Sequence, residues 1–272
     1  MHGHEGWDDY APFYDWENAQ TLGKRDVPFW TQLAGHLLDE HPAARRRMLE
    51  LGCGTGRVSF PLARQGVQVV GIDRSSEMLA RARARQRRLR KPLPLTLVRG
   101  DIRHLPFPER TFPLIIAPYG ILQSLLREKD LAATLEAVAA TLTPGGTFGL
   151  ELVADLPAWR EYKNRVTLQG RRPNGARITL TESVRQDRGR KLTLFDQEYV
   201  ERLGRKVLRK QFTLSFRTLT VYQMAARLEK AGLAVSALLG DYRGSPWDIR
   251  AEAWLVLAKK PDKKPSRRVR RP

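Results

Sequence analysis

The chain has 272 residues, of which 42% are hydrophobic, and a formal net charge of +19. It is long enough for one α/β domain with a sizeable core. Its single cysteine, Cys53, excludes an internal disulfide framework and any metal site built from several cysteines. It has no run of 18 apolar residues and no signal-peptide pattern, so we expect a cytoplasmic protein with no membrane partner.

The charge indicates a polyanion or an anionic surface as a partner, but its distribution weakens that interpretation. Residues 259–272 (KKPDKKPSRRVRRP) hold eight basic residues and one acidic residue. Prolines break this run, so we predict a disordered basic tail over 261–272. A second cluster, 81–91 (RARARQRRLRK), is predicted on an exposed helix. No RNA-recognition motif accompanies either cluster, so solvated faces are favoured over nucleic-acid contact.

The first 46 residues are predicted to form an aromatic, helical lid segment, with an amphipathic helix over Val27–Glu40. Strands and helices then alternate through residue 153. Strands are predicted at 47–51, 67–72, 95–99, 114–117 and 147–153, and helices at 57–65, 75–90 (N-cap Ser75 or Ser76) and 131–142. Apolar strands separated by helices indicate a parallel sheet covered on both faces, which is a doubly wound α/β core over 47–153.

The pattern changes after Val153. Three segments that alternate polar and apolar residues are predicted to be antiparallel strands: 176–185, 191–199 and 206–216. We interpret 154–219 as an antiparallel β insertion, which covers the substrate or contacts a second copy. A helix over 220–231 and strands near 235–239 and 253–258 are predicted to complete the core within 220–260.

A turn with three glycines, in the stretch LELGCGTGRVSF (49–60), follows the first strand. Glycines let the backbone approach a ligand closely, and the following helix offers free N–H groups. Dinucleotides and S-adenosylmethionine both use this device. The dinucleotide pattern G-x-G-x-x-G fails here, because Arg57 stands where its third glycine would be.

The segment ELGCGTG (50–56) resembles motif I of the class I S-adenosylmethionine-dependent methyltransferases. Four further landmarks follow in the right order: Asp73 in GIDRSSEML, Asp101 in RGDIRHLPFP, Ala117-Pro-Tyr119, and the turn LTPGGT at 142–147. The resemblance implies a seven-stranded Rossmann-like sheet, S-adenosyl-L-methionine as cofactor and S-adenosyl-L-homocysteine as product.

It also implies the cofactor-binding residues. These are Glu50, Gly52, Cys53, Gly54, Gly56, Asp73, Arg74, Met78, Asp101, Ile102, Pro118 and Tyr119. In the family pattern Asp73 holds both ribose hydroxyls, Asp101 receives the adenine amino group, and the segment at Tyr119 lies beside the transferred methyl. Glu50 lies near the methionine ammonium or is a structural carboxylate at the edge of the core. Cys53 is interpreted as a small residue that fills the turn.

The implied chemistry is in-line displacement at the sulfonium methyl, which needs alignment above all. A general base is needed only for a nucleophile that holds its proton tightly. The sequence does not identify such a base, although His104, three residues after Asp101, is one candidate. Aromatic residues of the N-terminal segment are predicted to cover the cofactor or to dock the segment on the core: Trp7, Tyr10, Phe13, Tyr14, Trp16, Phe29 and Trp30. Substrate contacts are predicted for Tyr10, Tyr14 and Gln123.

The leading hypothesis is a methyltransferase that acts on a nitrogen or oxygen of a small molecule, as a monomer or homodimer. The alternative, motivated by the charge and the basic tail, is an RNA- or ribosome-directed methyltransferase. A third hypothesis is a scaffold that binds the cofactor without catalysis. The intact set of Gly52, Gly54, Gly56, Asp73 and Asp101 argues against it.

Overall fold

The computed structural model describes residues 6–21, 25–39, 42, 46–153, 161–251 and 253–262. In chain order its elements are α1 (Trp7–Asn18), α2 (Asp26–Leu38), β1 (Arg47–Leu51), α3 (Ser59–Arg64), β2 (Gln68–Asp73), α4 (Ser76–Arg87), β3 (Leu95–Arg99), β4 (Phe112–Ala117), a 3-10 helix (Ile121–Ser124), α5 (Glu128–Thr141), β5 (Leu142–Leu152), β6 (Tyr162–Arg171), β7 (Arg177–Asp187), β8 (Leu192–Leu203), β9 (Lys206–Arg217), α6 (Val221–Lys230), β10 (Ala234–Leu239) and β11 (Trp254–Lys259).

Seven strands form the first sheet, in the order β10-β11-β5-β4-β1-β2-β3. All its neighbouring strands are parallel except β11, which is antiparallel to both β5 and β10. The strand order reverses at β1, which pairs with β2 on one side and β4 on the other. Ligands of open α/β sheets bind outside the carboxyl ends of the strands at this kind of reversal. The predicted seven-stranded, doubly wound sheet is confirmed.

A second, antiparallel sheet of four strands, β6-β7-β8-β9, lies in sequence between β5 and α6. The predicted antiparallel insertion before the last helix is thus confirmed, but the sequence indicated only three of its strands. β6 was missed because most of its residues are exposed, so it lacks a regular alternation of apolar and polar residues.

Several boundaries differ from the prediction for local reasons. α3 begins at Ser59 and not at Arg57, because the glycine turn continues until the Phe60 amide bonds to the Gly56 carbonyl at 3.0 Å. β5 already begins at Leu142, which pairs with Phe112 ahead of an irregularity in the ladder. Ser75 is the N-cap of α4, and its Oγ accepts from the Met78 amide at 3.1 Å.

α2 packs on the first sheet through Trp30, which is fully buried. The indole lies against Gly149 of β5, where an added Cβ would come within 3.0 Å of the ring. A larger residue at position 149 would therefore push α2 away from the sheet. Trp30 is one of the seven predicted N-terminal aromatic residues, and its role is to dock the segment on the core.

α1 lies between the two sheets and is held on both sides. Tyr10 and Phe13 pack against Tyr199 and Phe212 of the second sheet. On the side of the first sheet, Asp15 accepts a hydrogen bond from the Thr55 hydroxyl at 2.5 Å, within the glycine turn. α1 therefore bridges the glycine turn and the second sheet.

Candidate functional site

A cavity of about 420 Å³ lies at the carboxyl ends of β2, β3 and β4, beneath α1 and β9. This volume is within the range of sites that hold small molecules and cofactors. Asp73 is the last residue of β2 and Asp101 follows β3, whereas Tyr119 follows β4 on the other side of β1. We call the part lined by the two carboxylates the aspartate end, and the part lined by Tyr14, Tyr119 and Phe216 the aromatic end.

The three glycines of the turn have φ angles of 65°, 54° and 79° at Gly52, Gly54 and Gly56. Side chains at the outer two positions would clash, because a Cβ would come within 2.6 Å of Ile121 at position 52 and of Phe60 at position 56. At Gly54 the nearest atom would be the Met78 sulfur, 3.9 Å away. The backbone at Gly54 is thus open to the cavity, as a turn that receives a ligand requires.

Cys53 lies behind the turn and does not line the cavity. Gly71 of β2 leaves room for it, since a Cβ there would come within 2.8 Å of the thiol sulfur. Burial raises the pKa of the Cys53 thiol well above its ordinary value, which keeps it neutral. The side chain therefore fills space and is no nucleophile.

Asp73 faces the cavity at the end of β2. Its Oδ2 accepts from the Gly54 amide at 2.7 Å and its Oδ1 accepts from the Ser75 amide at 2.8 Å. These bonds fix the carboxylate and still leave each oxygen a lone pair for a ligand hydroxyl. Burial raises the pKa of Asp73 above its ordinary value, so a hydroxyl donor supplied by a ligand would favour the ionised form.

Asp101 forms a two-point ion pair with Arg103, in which Nε donates to Oδ1 at 2.9 Å and Nη2 donates to Oδ2 at 2.6 Å. The hydrogen bonds from Arg103 lower the pKa of Asp101 to about 2, so it stays an acceptor at any physiological pH. Arg103 also donates to Asp130 at 3.1 Å, which ties the aspartate end to α5. Arg74 and Ile102, both predicted cofactor contacts, line the cavity as well.

Tyr119 has a backbone φ of 59°, which is unusual for a residue other than glycine. Its amide donates to Glu151 Oε2 at 3.1 Å, and its ring lies under the guanidinium of Arg57, 5.5 Å from the ring centre. The Tyr14 ring stands edge-on at 6.3 Å. Left-handed backbone costs free energy at a residue other than glycine, and strained positions of this kind cluster at functional sites.

Four buried carboxyl groups surround the aromatic end: Glu17, Asp26, Glu50 and Glu151. Burial raises the pKa values of Glu17 and Glu151 above their ordinary range and that of Glu50 to about 8. Arg57 is the cation among them and pairs with Asp26 at 2.6 Å. Asp26 Oδ2 and Arg57 Nε have no hydrogen-bond partner among the described residues.

Nine of the predicted site residues line the cavity: Gly52, Gly54, Asp73, Arg74, Met78, Asp101, Ile102, Tyr119 and, from the substrate set, Tyr14. Six do not: Glu50, Cys53, Gly56, Pro118, Tyr10 and Gln123. Glu50 is buried behind the turn and accepts from the Ser59 hydroxyl. Gln123 is also buried, where it bonds to the backbone of Val153 and Arg217.

The structure adds cavity residues that the motifs did not indicate. Trp7 and Asp8 come from α1, Ser124 and Leu125 follow β4, and Phe216 comes from β9. Trp7 stood among the noted N-terminal aromatics, but nothing in the sequence near Phe216 distinguishes it from its neighbours. In the described part of the chain, no three His, Cys, Asp or Glu side chains are grouped as a metal would need. None of the described helices is both long and apolar enough to cross a membrane.

Glu50 leads to a prediction about proton release. Below a pH of about 8 it is mostly protonated, and a ligand that carries positive charge close to it would favour the ionised form. We expect binding of S-adenosylmethionine at pH 7 to release about one proton. Titration calorimetry in buffers of different ionisation enthalpy measures this number. Glu50→Gln should bind without this proton release, and equal release by both proteins would contradict the assignment.

Comparisons with known proteins point to methyltransferases. A model of the methyltransferase domain family matches residues 48–146. The cypemycin N-terminal methyltransferase of a Streptomyces species is 28% identical over 237 residues, which cover 83% of this chain and 87% of that protein. The 2-phytyl-1,4-naphtoquinone methyltransferase of Synechococcus elongatus is 34% identical over 143 residues, which cover 51% of this chain and 58% of that protein.

Solved structures show the same fold at low sequence identity. An S-adenosylmethionine-dependent methyltransferase from Clostridium acetobutylicum superposes with a TM-score of 0.75 at 19% identity and covers 93% of this chain and 99% of its own. The sugar N-methyltransferase KedS8 from a Streptoalloteichus species gives 0.73 at 15% identity, with 93% of each chain covered.

Proposed function

The chain belongs to the class I S-adenosylmethionine-dependent methyltransferases, and from this premise we propose that it methylates an amine nitrogen of a small-molecule acceptor. The cofactor fits the aspartate end, where Gly54 leaves the backbone open and Asp73 offers free acceptor lone pairs. Asp101 stays ionised beside Arg103 and can accept from an amino group.

The observation that carries the amine proposal is the charge around the aromatic end. Four buried carboxyl groups stand against the one guanidinium of Arg57. Burial holds the pKa values of Glu17, Glu50 and Glu151 above their ordinary range, so a cation placed among these groups would favour their ionised forms and would be bound more tightly in return. This linkage favours a cationic acceptor over a neutral or anionic one. Among the similar proteins, the names of the cypemycin N-terminal methyltransferase and the sugar N-methyltransferase point to an amine, whereas the 2-phytyl-1,4-naphtoquinone methyltransferase is named for a quinone.

When bound, S-adenosylmethionine supplies an electrophilic methyl group. The chain's residues supply alignment: Tyr119 is held rigid by Glu151 and Arg57, and Tyr14 faces it from α1. An amine in its ammonium form must lose a proton before it attacks. That proton leaves to water or to a carboxylate near the aromatic end, and the neutral amine then displaces S-adenosylhomocysteine from the methyl carbon.

The small-molecule proposal is supported by the walls of the cavity. α1 covers it on one side and Phe216 of the second sheet on another, so we assign a lid role to α1 and a substrate-covering role to the insertion. The basic residues that line the cavity, Arg74, Arg99 and Arg103, lie near the aspartate end, and the cation at the aromatic end, Arg57, is paired with Asp26. An RNA-directed methyltransferase would be expected to guide phosphates toward its reacting atom with basic side chains, and here those lie elsewhere.

The test is a methyl-transfer assay with matched acceptor pairs, an amine and the alcohol of the same skeleton, over small sugars, peptides and aromatic amines. We expect S-adenosylhomocysteine to form with amines and not with their alcohols. Asp73→Asn serves as the control for background turnover. Methylation of the alcohols alone, or of bulk RNA in place of both, would overturn the proposal.

A further inference from the structure

The β8-β9 hairpin ends in a tip that is exposed on all sides. Every residue from Arg202 to Lys210 is exposed. Three of these nine residues are aliphatic, with 48% of Leu203, 48% of Val207 and 49% of Leu208 accessible to solvent. Five are basic, and none is acidic: Arg202, Arg205, Lys206, Arg209 and Lys210.

The turn between β6 and β7 lies at the same end of the sheet, because Arg177 pairs with Arg202. It adds Arg171, Arg172 and Arg177 to the positive charge. Only two of these eight basic residues form an ion pair within the described chain: Arg172 with Glu201 at 3.4 Å and Arg209 with Glu198 at 3.7 Å. We call the hairpin from Arg202 to Lys210 the basic tip.

The aliphatic residues of the basic tip lie on both faces of the hairpin. Leu208 is paired with Glu201 and Leu203 with Lys206, whereas Val207 belongs to the intervening pair with Arg202. Adjacent pairs point to opposite faces of a sheet, so Val207 points away from the two leucines. A protein surface that docked on one face would leave the aliphatic side chains of the other face in water.

A lipid surface fits this geometry, because a ribbon whose end passes between the headgroups to the acyl-chain boundary meets apolar chains on both of its faces. The basic side chains, which have long flexible stems, would remain at the phosphates. Single-stranded nucleic acid is the weaker fit, because it binds through stacking on aromatic rings and the basic tip contains none. We propose that the basic tip binds peripherally to an anionic lipid surface.

This proposal accounts for part of the net charge of +19 and does not depend on the acceptor. In this proposal the basic side chains attract the anionic lipid surface from a distance, and the aliphatic side chains contact the lipid once the tip is bound. Binding should therefore need anionic lipid and should weaken at high salt. It also explains why aliphatic residues persist at a hairpin end, where exposed apolar groups otherwise promote aggregation.

The first test is sedimentation of the full chain with phosphatidylcholine vesicles, with and without phosphatidylglycerol. We expect binding only with the anionic lipid. Val207→Ser combined with Leu208→Ser, which leaves the charge unchanged, should weaken binding about tenfold. Arg205→Ser with Lys206→Ser removes two charges from the tip and should also weaken binding; its matched control is Arg87→Ser with Arg90→Ser on and after α4, which removes two exposed charges elsewhere and should have a much smaller effect. Retained S-adenosylhomocysteine binding verifies that each variant is folded.

The second test measures insertion directly. Cys53 is buried, so Val207→Cys introduces a single reactive thiol for a nitroxide spin label. On anionic vesicles, the label should become accessible to oxygen and protected from a water-soluble nickel relaxant.

The proposal is wrong if the chain does not bind anionic vesicles, or if the tip and α4 variants lose the same amount of vesicle affinity. It is also wrong if deletion of 263–272 alone abolishes vesicle binding, or if the spin label stays accessible to the nickel reagent on vesicles. Binding of RNA but not of vesicles, or dimerisation through the tip, would point to those partners and would equally overturn it.

Discussion

Asp73→Asn is expected to weaken binding of S-adenosylhomocysteine about 100-fold, or roughly 3 kcal/mol. The carboxylate can accept two hydroxyl hydrogen bonds from a ribose, and bonds to a charged acceptor are each stronger than neutral ones. Asparagine keeps the size and one acceptor oxygen, but its NH₂ group cannot accept. Titration calorimetry measures the change directly, with NAD as a ligand that should not bind.

The control for this prediction is Asp9→Asn, an exposed position on α1 close to the cavity. This substitution removes the same charge but does not change a residue that lines the cavity. The affinity of the Asp9→Asn variant for S-adenosylhomocysteine should therefore stay near that of the unmodified chain. Asp73 also accepts from the amides of Gly54 and Ser75, and thermal unfolding of Asp73→Asn shows whether the turn survives. Unchanged affinity in a folded Asp73→Asn protein would remove Asp73 from the cofactor site.

Glu17→Ala is expected to lower the free energy of unfolding by about 3 kcal/mol. Glu17 is buried between α1 and the second sheet, where Tyr10 and Tyr199 donate to Oε2 and Gln197 donates to Oε1 at 3.2 Å. Truncation leaves the Tyr10 hydroxyl without an acceptor, leaves Tyr199 only the longer bond to Gln197 Oε1 at 3.4 Å, and leaves Gln197 Nε2 only Glu182, and each lost buried bond costs free energy. Urea unfolding followed by circular dichroism measures the loss.

Glu17→Gln is the conservative variant and should recover most of that loss, because its amide oxygen still accepts from the tyrosines. Glu136→Ala, at an exposed position of α5, is the control for removing a glutamate from a helix. Hydrogen exchange locates the effect: α1 amides should exchange faster in Glu17→Ala. Uniformly faster exchange across the first sheet, with α1 no different, would show that Glu17 does not act by holding α1.

These two residues represent two kinds of interaction at the cavity. Asp73 is fixed by the backbone of its own turn, so its role concerns the ligand. Glu17 joins segments that are 180 residues apart in sequence, as its bond to Gln197 shows, so its role concerns the position of the cover. The lid role that we propose for α1 requires this helix to move when an acceptor enters, and the Glu17 contacts are among those that would then have to open.

The sequence predicted the insertion less completely than the core. Core strands are buried on both faces and are therefore continuous apolar runs that stand out from their surroundings. β6 lies at the edge of the second sheet and is mostly exposed, so its sequence carries no such signal. The net charge shows a similar limit. The composition determined the magnitude of the net charge, but only the pairing of β7 with β8 showed that Arg177 and Arg202 lie side by side at one end of the insertion.

The sequence by itself determined the aspartate end of the site. Gly54, Asp73 and Asp101 each sit in a short turn at the end of a parallel strand, and such a turn is specified by residues within a few positions of it. The resemblance to the methyltransferase family implied that these residues share one site, and the aligned carboxyl ends of the parallel strands bring them to one cavity.

Only the tertiary structure decided the aromatic end. Tyr14, Tyr119 and Phe216 come from α1, from the turn after β4 and from β9, and no local pattern links them. Their meeting depends on how α1 packs between two sheets, which is set by buried contacts over long sequence separations such as those of Glu17. Long-range packing of this kind is not encoded in the period or spacing of any one segment, which is why Phe216 and the ring of buried carboxyl groups appeared only in the folded chain.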